Sequence, residues 1–240
     1  MRSIGFSTGA LAYGDFEEGL RLLRKTKANA VELSALRQNE LGPLVQAMGR
    51  LELQQFGHVS LHVPSSITPD FEATLLATLR PLPSGWPLVT HPDVITMWGD
   101  WEALGARLCI ENMDKRKPIG QTARSLREIF GRLPRATFCL DIGHAHQVDP
   151  TMGEAVLLLE EFRERLAQLH ISEVNSESKH DPLSFESAVA FSVVAHLIPE
   201  TIPVILESRL KSVSPDGIQL EMDAAADVLD RTEMMELAGD

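Results

Sequence analysis

The chain has 240 residues, with 22 Lys+Arg against 34 Asp+Glu, a formal net charge of −12 and 44% hydrophobic content. That is enough apolar material to bury one large core, and it excludes a disordered, collagen-like or disulfide-stapled chain. The negative balance repels phosphate backbones at long range, which makes nucleic acid a poor partner unless a local cation offsets it.

Cys109 and Cys139 are the only cysteines, so there is no disulfide framework, and Met1-Arg2-Ser3-Ile4-Gly5 lacks the apolar run of a secretory signal. A cytoplasmic location is the expectation. Every hydrophobic run is cut by a charge, Gly or Pro well short of the ~20 residues that a membrane-spanning helix needs, so no membrane partner is expected.

Short β-type runs alternate with stretches of helical period, and no Ser/Gly-rich linker separates them, so residues 1–240 read as a single domain. The predicted strands are, in order, Ser3–Ser7, Ala30–Leu33, His58–Val63, Leu88–His91, Arg107–Glu111, Thr137–Asp141, Leu166–Ile171 and Pro203–Glu207. Between them apolar residues recur at helical spacing, as at Phe16, Leu20 and Leu23 and again at Leu126, Ile129, Phe130 and Leu133. Thr68 before Pro69 suits a first helical turn, and Thr151 three residues before Glu154 has capping-box spacing. Met234–Asp240 reads as a frayed tail.

A strand-then-helix unit of about 30 residues, repeated eight times, is what a closed parallel (β/α)8 TIM barrel of the α/β class requires. An open doubly wound sheet is the rival. It would gather function at one switch point, whereas here polar, ligand-type residues end most strands, and no G-x-G-x-x-G or P-loop pattern occurs.

The later strands run Val59-Ser60-Leu61-His62, Val89-Thr90-His91, Cys109-Ile110-Glu111, Cys139-Leu140-Asp141, Gln168-Leu169-His170 and Ile205-Leu206-Glu207. In a parallel barrel such ends converge on the C-terminal mouth. Glu111, Asp141, His170 and Glu207 follow at intervals of 30, 29 and 37 residues, about one βα unit per ligand. Three carboxylates and one imidazole suit a divalent cation, Mn²⁺, Mg²⁺, Co²⁺ or Zn²⁺. Crowded carboxylates would also raise one another's pKa unless a cation neutralised them.

Glu111-Asn112, Asp141-Ile142-Gly143-His144-Ala145-His146 followed by Asp149, His91-Pro92, His170 and Glu207 together resemble the xylose-isomerase-like TIM-barrel superfamily. That group holds sugar isomerases, ketose 3-epimerases, hydroxypyruvate isomerases and abasic-site endonucleases of the endonuclease IV type. The resemblance implies one divalent metal on Glu111, Asp141, His170 and Glu207, with Glu111 and Glu207 doubling as acid and base. It implies substrate contact by His144 of the D-x-x-H pattern, and a small sugar or sugar phosphate isomerised or epimerised through an enediolate. His170-Ile171-Ser172-Glu173-Val174-Asn175 is similar to the epimerase H-x-x-E-x-N stretch, with Ser176 where an Arg often follows. Relatives often dimerise, so a homodimer is an expectation from resemblance.

In the endonuclease relatives the site is trinuclear zinc, and His62, His91 and His144 are available as extra ligands. The later D-x-H is replaced by Ser178-Lys179-His180, which removes one ligand. A zinc phosphodiesterase and a non-catalytic ligand-binding barrel therefore stand as alternatives. His62, His91, His144, His180 and Arg209 are the candidate substrate contacts. The loop run Lys115-Arg116-Lys117 is a candidate anion site, although a solvated loop is the commoner explanation for such a run, and Lys211 carries the same ambiguity. His146 is a further candidate contact, His58 and His196 read as structural, and Cys109 and Cys139 read as small packing residues inside the barrel. Trp98 reads as core or as a sugar platform.

Overall fold

A computed structural model of the chain describes residues 2–230. The predicted tail at Met234–Asp240 lies outside them. The elements begin β1 (Ile4–Ser7), α1 (Thr8–Ala12), α2 (Phe16–Leu23), β2 (Ala30–Ser34), α3 (Gln38–Ala47), β3 (His58–His62), α4 (Glu72–Leu79), β4 (Leu88–Thr90) and α5 (Trp98–Glu102). They continue with β5 (Leu108–Glu111), α6 (Ala123–Arg132), β6 (Thr137–Asp141), α7 (Ile142–Val148), α8 (Gly153–Phe162) and β7 (Leu166–Ile171). Then come β8 (Glu173–Val174), β9 (His180–Asp181), α9 (Phe185–Ala195), β10 (Val204–Leu206) and α10 (Pro215–Asp230).

Eight strands pair in the order β1-β10-β7-β6-β5-β4-β3-β2 and close on themselves, all parallel. The molecule is a (β/α)8 barrel, and the open sheet is excluded. All eight predicted strands are present, β6 and β7 with the predicted bounds and the other six with ends shifted by one residue. β4 stops at Thr90 and leaves His91 just beyond it, and β10 omits Pro203, which has no N–H to give the ladder, and Glu207. The short antiparallel pair β8-β9 was not predicted; it forms a hairpin over the barrel mouth. Among the described residues, no helix is long and apolar enough to cross a membrane.

Strand alternation divides the buried residues into two sets. On β6, Phe138 and Leu140 belong to the large apolar cluster between sheet and helices, where Phe138 meets Phe130 of α6 and Phe162 of α8 with ring centroids 6.1 and 5.8 Å away. Cys139 on the same strand faces the barrel lumen, where it packs with Val89, Cys109 and Ala167 in a small separate cluster. The two cysteines are free and buried, as expected of packing residues. β1 and β2 approach closely: a Cβ on Gly5 would lie 1.7 Å from the Ala30 carbonyl oxygen, so only glycine lets the two strands pair there.

Local chemistry sets the helix starts. Asp15 accepts from the Glu18 N–H at the start of α2, Thr122 from the Ser125 N–H at the start of α6, and Ser184 from the Ser187 N–H at the start of α9. Pro69 opens a 3₁₀ turn leading into α4. The Thr151 capping box is not formed. Asp149 does that work instead: its carboxylate accepts from the N–H groups of Thr151 and Glu154 and from the Thr151 hydroxyl, while Met152 takes a left-handed φ of 64° before α8 begins. A longer-reaching acceptor upstream displaces the predicted cap.

Candidate metal centre

The strand ends gather at the mouth through a few specific devices. Glu111 ends β5 and Asp141 ends β6, and Asn112 stitches them together: its amide donates to the Asp141 carbonyl (2.8 Å) and its carbonyl oxygen accepts from the Asp141 N–H (2.7 Å). Asp141 also caps α7. Its Oδ1 accepts from the His144 N–H at 2.7 Å, while Oδ2 is buried with no hydrogen-bond partner. Gly143 makes that turn possible, because a Cβ there would lie 2.3 Å from the Ser172 carbonyl oxygen. The D-x-x-H spacing therefore sets two side chains on one short turn against the end of β7.

Glu111 is 1% exposed and ringed by imidazoles. Its oxygens lie 3.2 Å from His62 Nε2, 3.3 Å from His91 Nε2, 3.2 Å from His170 Nδ1 and 3.6 Å from His144 Nδ1. His62 donates Nδ1–H to the Val63 carbonyl (2.8 Å), which turns Nε2 toward Glu111. His144 donates Nδ1–H to the Asn112 carbonyl at 2.9 Å. His170 Nδ1 also lies 3.6 Å from Glu207, and Glu207 lies 3.5 Å from His180, whose Nδ1 bonds the Ser172 hydroxyl at 2.8 Å.

Ligand-type atoms approach within 4.8 Å of one another in the set Glu111, Asp141, His170 and Glu207. The same holds for His62, His91 and Glu111, for Asp141, His144 and His180, and for Glu32, His62 and Glu207. The four-residue set shares a member with each of the others: Glu111, Asp141 and Glu207 in turn. Buried carboxylates and imidazoles with an orphan oxygen on Asp141 form a donor set that fits a divalent cation, since an isolated buried anion is otherwise costly.

The charges bear out the crowding with one correction. Burial, aided by the charge of Glu111 and opposed by His144, raises Asp141 to about 6. Burial with the charges of Glu111 and Asp141, against the pull of His170, raises Glu207 to about 7. Glu111 moves the other way. Burial would raise it, but His170 and the hydrogen bonds from His170, His62 and His91 hold it well below the usual range, so imidazoles rather than a cation already offset this carboxylate. Burial alone would lower His62, yet its bond to Glu111 and the charges of Glu32, Glu111 and Glu207 raise it to about 9. Burial and the charge of His144 lower His180 to about 3.

Above the ligands opens a cleft of about 380 Å³, lined by His62, His91, Glu111, His144, His180 and Glu207 and rimmed by Arg116, Lys117, Lys179 and Arg209. Of the predicted basic run, Arg116 and Lys117 line the cleft and Lys115 does not. Arg116 is tied to Asp114 and to the Ser178 carbonyl, and Lys117 to Asp93 at 2.8 Å. The Arg209 guanidinium lies over the Tyr13 ring, 5.5 Å from its centroid. Trp98 does not line the cleft; it sits on α5 with the Arg132 guanidinium over its ring, 3.7 Å from the centroid. His146 turns to Phe191 of α9, and His58 bonds Gln168 at 2.8 Å near the start of β3.

Residue-level reading missed Glu32 and Gln168, which lie beneath the ligands in the lumen. The signal was present: a lone acidic residue at an inward position within the otherwise uncharged strand Ala30-Val31-Glu32-Leu33-Ser34. Asp114, which burial would raise, is lowered to about 2 by its bonds to Arg116 and also escaped notice.

A comparison with protein families finds no match, and a comparison with curated proteins finds none. Solved structures do match. The IOLI protein with a binding zinc atom aligns with a TM-score of 0.57 at 13% identity, covering 96% of this chain and 99% of that one. Endonuclease IV from Thermus thermophilus aligns at 0.56 and 15%, covering 95% and 100%. A xylose isomerase-like TIM barrel protein from Mycobacterium smegmatis in complex with magnesium aligns at 0.58 and 12%, covering 95% and 98%. At such identities the likeness is one of architecture, and in architecture this chain resembles the xylose-isomerase-like TIM barrels.

Proposed function

We propose that this protein is a metal-dependent isomerase or epimerase acting on a small sugar or sugar phosphate through an enediolate. The observation that carries the reading is the convergence of Glu111, Asp141, His170 and Glu207 within 4.8 Å, one from each of three neighbouring strands and one just past β10. These four would hold one divalent cation, Mn²⁺, Mg²⁺, Co²⁺ or Zn²⁺. When bound, it supplies Lewis acidity toward the negative charge that develops on substrate oxygen.

The chain's own groups move the proton. Glu207 is open to the cleft, placed to take a proton from the carbon beside a carbonyl; without a cation burial raises it to about 7, and beside a bound cation it would lie lower and stay ionised to act as base. Glu207, now carrying that proton, returns it to the neighbouring carbon of the enediolate in an isomerisation; in an epimerisation the opposite face would be reprotonated through Glu111, which must first take a proton from one of the imidazoles bonded to it. Because imidazoles hold Glu111 ionised, Glu207 is the first base and Glu111 acts mainly as a ligand. His180 and Arg209 at the rim would contact substrate, and the exposed Tyr13 beside Arg209 offers an edge for a sugar.

A second reading, a zinc phosphodiesterase of the endonuclease IV type, is favoured by the two flanking sets. His62, His91 and Glu111 form one, and Asp141, His144 and His180 the other. In it His62, His91 and His144 would be ligands rather than substrate contacts. The net charge of −12 and Ser178 in place of an acidic ligand count against it. Metal analysis by mass spectrometry separates the readings: about one equivalent supports the isomerase, about three the phosphodiesterase, and none a ligand-binding barrel.

A further inference from the structure

Besides the proposed ligands, the barrel lumen holds a fully buried carboxylate that the chemistry above does not use, Glu32 of β2. Its Oε2 accepts from Gln168 Nε2 at 2.7 Å and from the Ser60 hydroxyl at 3.2 Å, and lies 3.1 Å from His170 Nε2. Its other oxygen, Oε1, is buried with no hydrogen-bond partner. Glu32 does not line the cleft, so it cannot touch substrate there, and a carboxylate this deep is costly unless it is paired.

The pairing acts on His170. One side of that ring, Nδ1, points at Glu111 (3.2 Å) and Glu207 (3.6 Å), the centre of the four-ligand set, while the other, Nε2, points at Glu32. A neutral imidazole that gives its lone pair to a cation through Nδ1 must carry its proton on Nε2. The neighbourhood contains a competitor. Gln168 Nε2, an amide donor, lies 2.8 Å from His170 Nε2 and by itself would favour the opposite tautomer, with the proton on Nδ1. A carboxylate is the stronger partner, because a hydrogen bond to an ionised acceptor is roughly twice as strong as a neutral one.

We propose that Glu32 is a positioning residue that keeps the His170 proton on Nε2 and so leaves Nδ1 free for a divalent cation. The inference rests on the metal reading of the site. The test uses full-length protein stripped of metal and titrated with Zn²⁺ against a competing chelator, together with nitrogen NMR of His170 in the Zn²⁺-loaded form. Glu32→Gln should weaken Zn²⁺ binding about 10- to 100-fold. Gln168→Met removes the competing donor from the same network and should leave affinity near wild type, whereas a merely structural role predicts similar losses for both variants. Glu32→Asp, which keeps the charge, should recover part of the affinity if Glu32→Gln fails to fold. Wild-type His170 should show a hydrogen-bonded Nε2–H. A proton on Nδ1, or equal affinity in wild type and Glu32→Gln, overturns the positioning role while leaving the metal site standing; wild-type protein that takes up no Zn²⁺ overturns the metal reading itself.

Discussion

The two faces of β6 contrast the two regions of this barrel. Outward, Phe138 and Leu140 enter a continuous apolar shell filled by large side chains from the helices. Inward, Cys139 and Asp141 meet a lumen whose buried apolar cluster is Val89 and the two cysteines and whose upper layer is carboxylate and imidazole. Typical barrels fill the lumen with layers of Val, Ile and Leu. Here the apolar burial that holds the fold together is displaced to the shell, and the interior is given over to charges that a cation would satisfy. Stability and chemistry are carried by alternate residues of the same strands.

The most severe way to break that division is Glu207→Gln. Turnover, read as exchange of the substrate's carbon-bound proton with deuterated water, should fall by about 10²- to 10⁴-fold while the unfolding midpoint of the metal-stripped protein in denaturant stays put. Turnover at the wild-type level would end the assignment of Glu207 as base. Next in size is a paired test on one strand. Phe138→Ala should cost about 3–5 kcal/mol in equilibrium unfolding, because it empties a site shared with Phe130 and Phe162. Cys139→Ala, one residue away on the lumen side, should cost only about 1 kcal/mol. Equal losses would mean that lumen and shell are not separable.

The smallest effect is one of pH on the metal-stripped protein. His62 is raised from 6.5 to about 9 and His170 is raised as well, so the stability that they contribute is complete below their unfolded values and is lost as pH rises through the folded ones. His58, His91 and His180 are lowered, and their opposing contribution changes only below about pH 7.5. The melting temperature of the stripped protein should therefore fall from about pH 7.5 to 9. A bound divalent cation would displace the His170 proton and, by its charge, weaken the hold on that of His62, and should flatten the decline. A stripped protein that melts higher at pH 9 would contradict the charge arrangement of the mouth.

The architecture was legible because strands buried on both faces read as short apolar runs, and a polar residue at each end marks where the run leaves the sheet. Glu111, Asp141, His170 and Glu207 could be read as a set because one βα unit separates each from the next. What stayed hidden depends on distance in space. Glu32 stands out in sequence only as a lone acid within an uncharged strand; its partner shows only in space, where His170 on β7 reaches it across the lumen with β1 and β10 intervening around the ring. The cap at Asp149 was hidden by a better-looking local pattern at Thr151. The β8-β9 hairpin, only two residues a side, is too short for periodicity to register, yet it carries His180 to the cleft.

The seam where β10 slots between β1 and β7 has a consequence for how the molecule is assembled. Glu207 follows the last barrel strand, whereas Glu111, Asp141 and His170 come from earlier ones, so the full quartet exists only once the ring has shut. An ion gripped by all four works as a latch: it favours the shut ring over any breathing form in which the final strand has peeled away, by an amount that grows with the ion's free concentration.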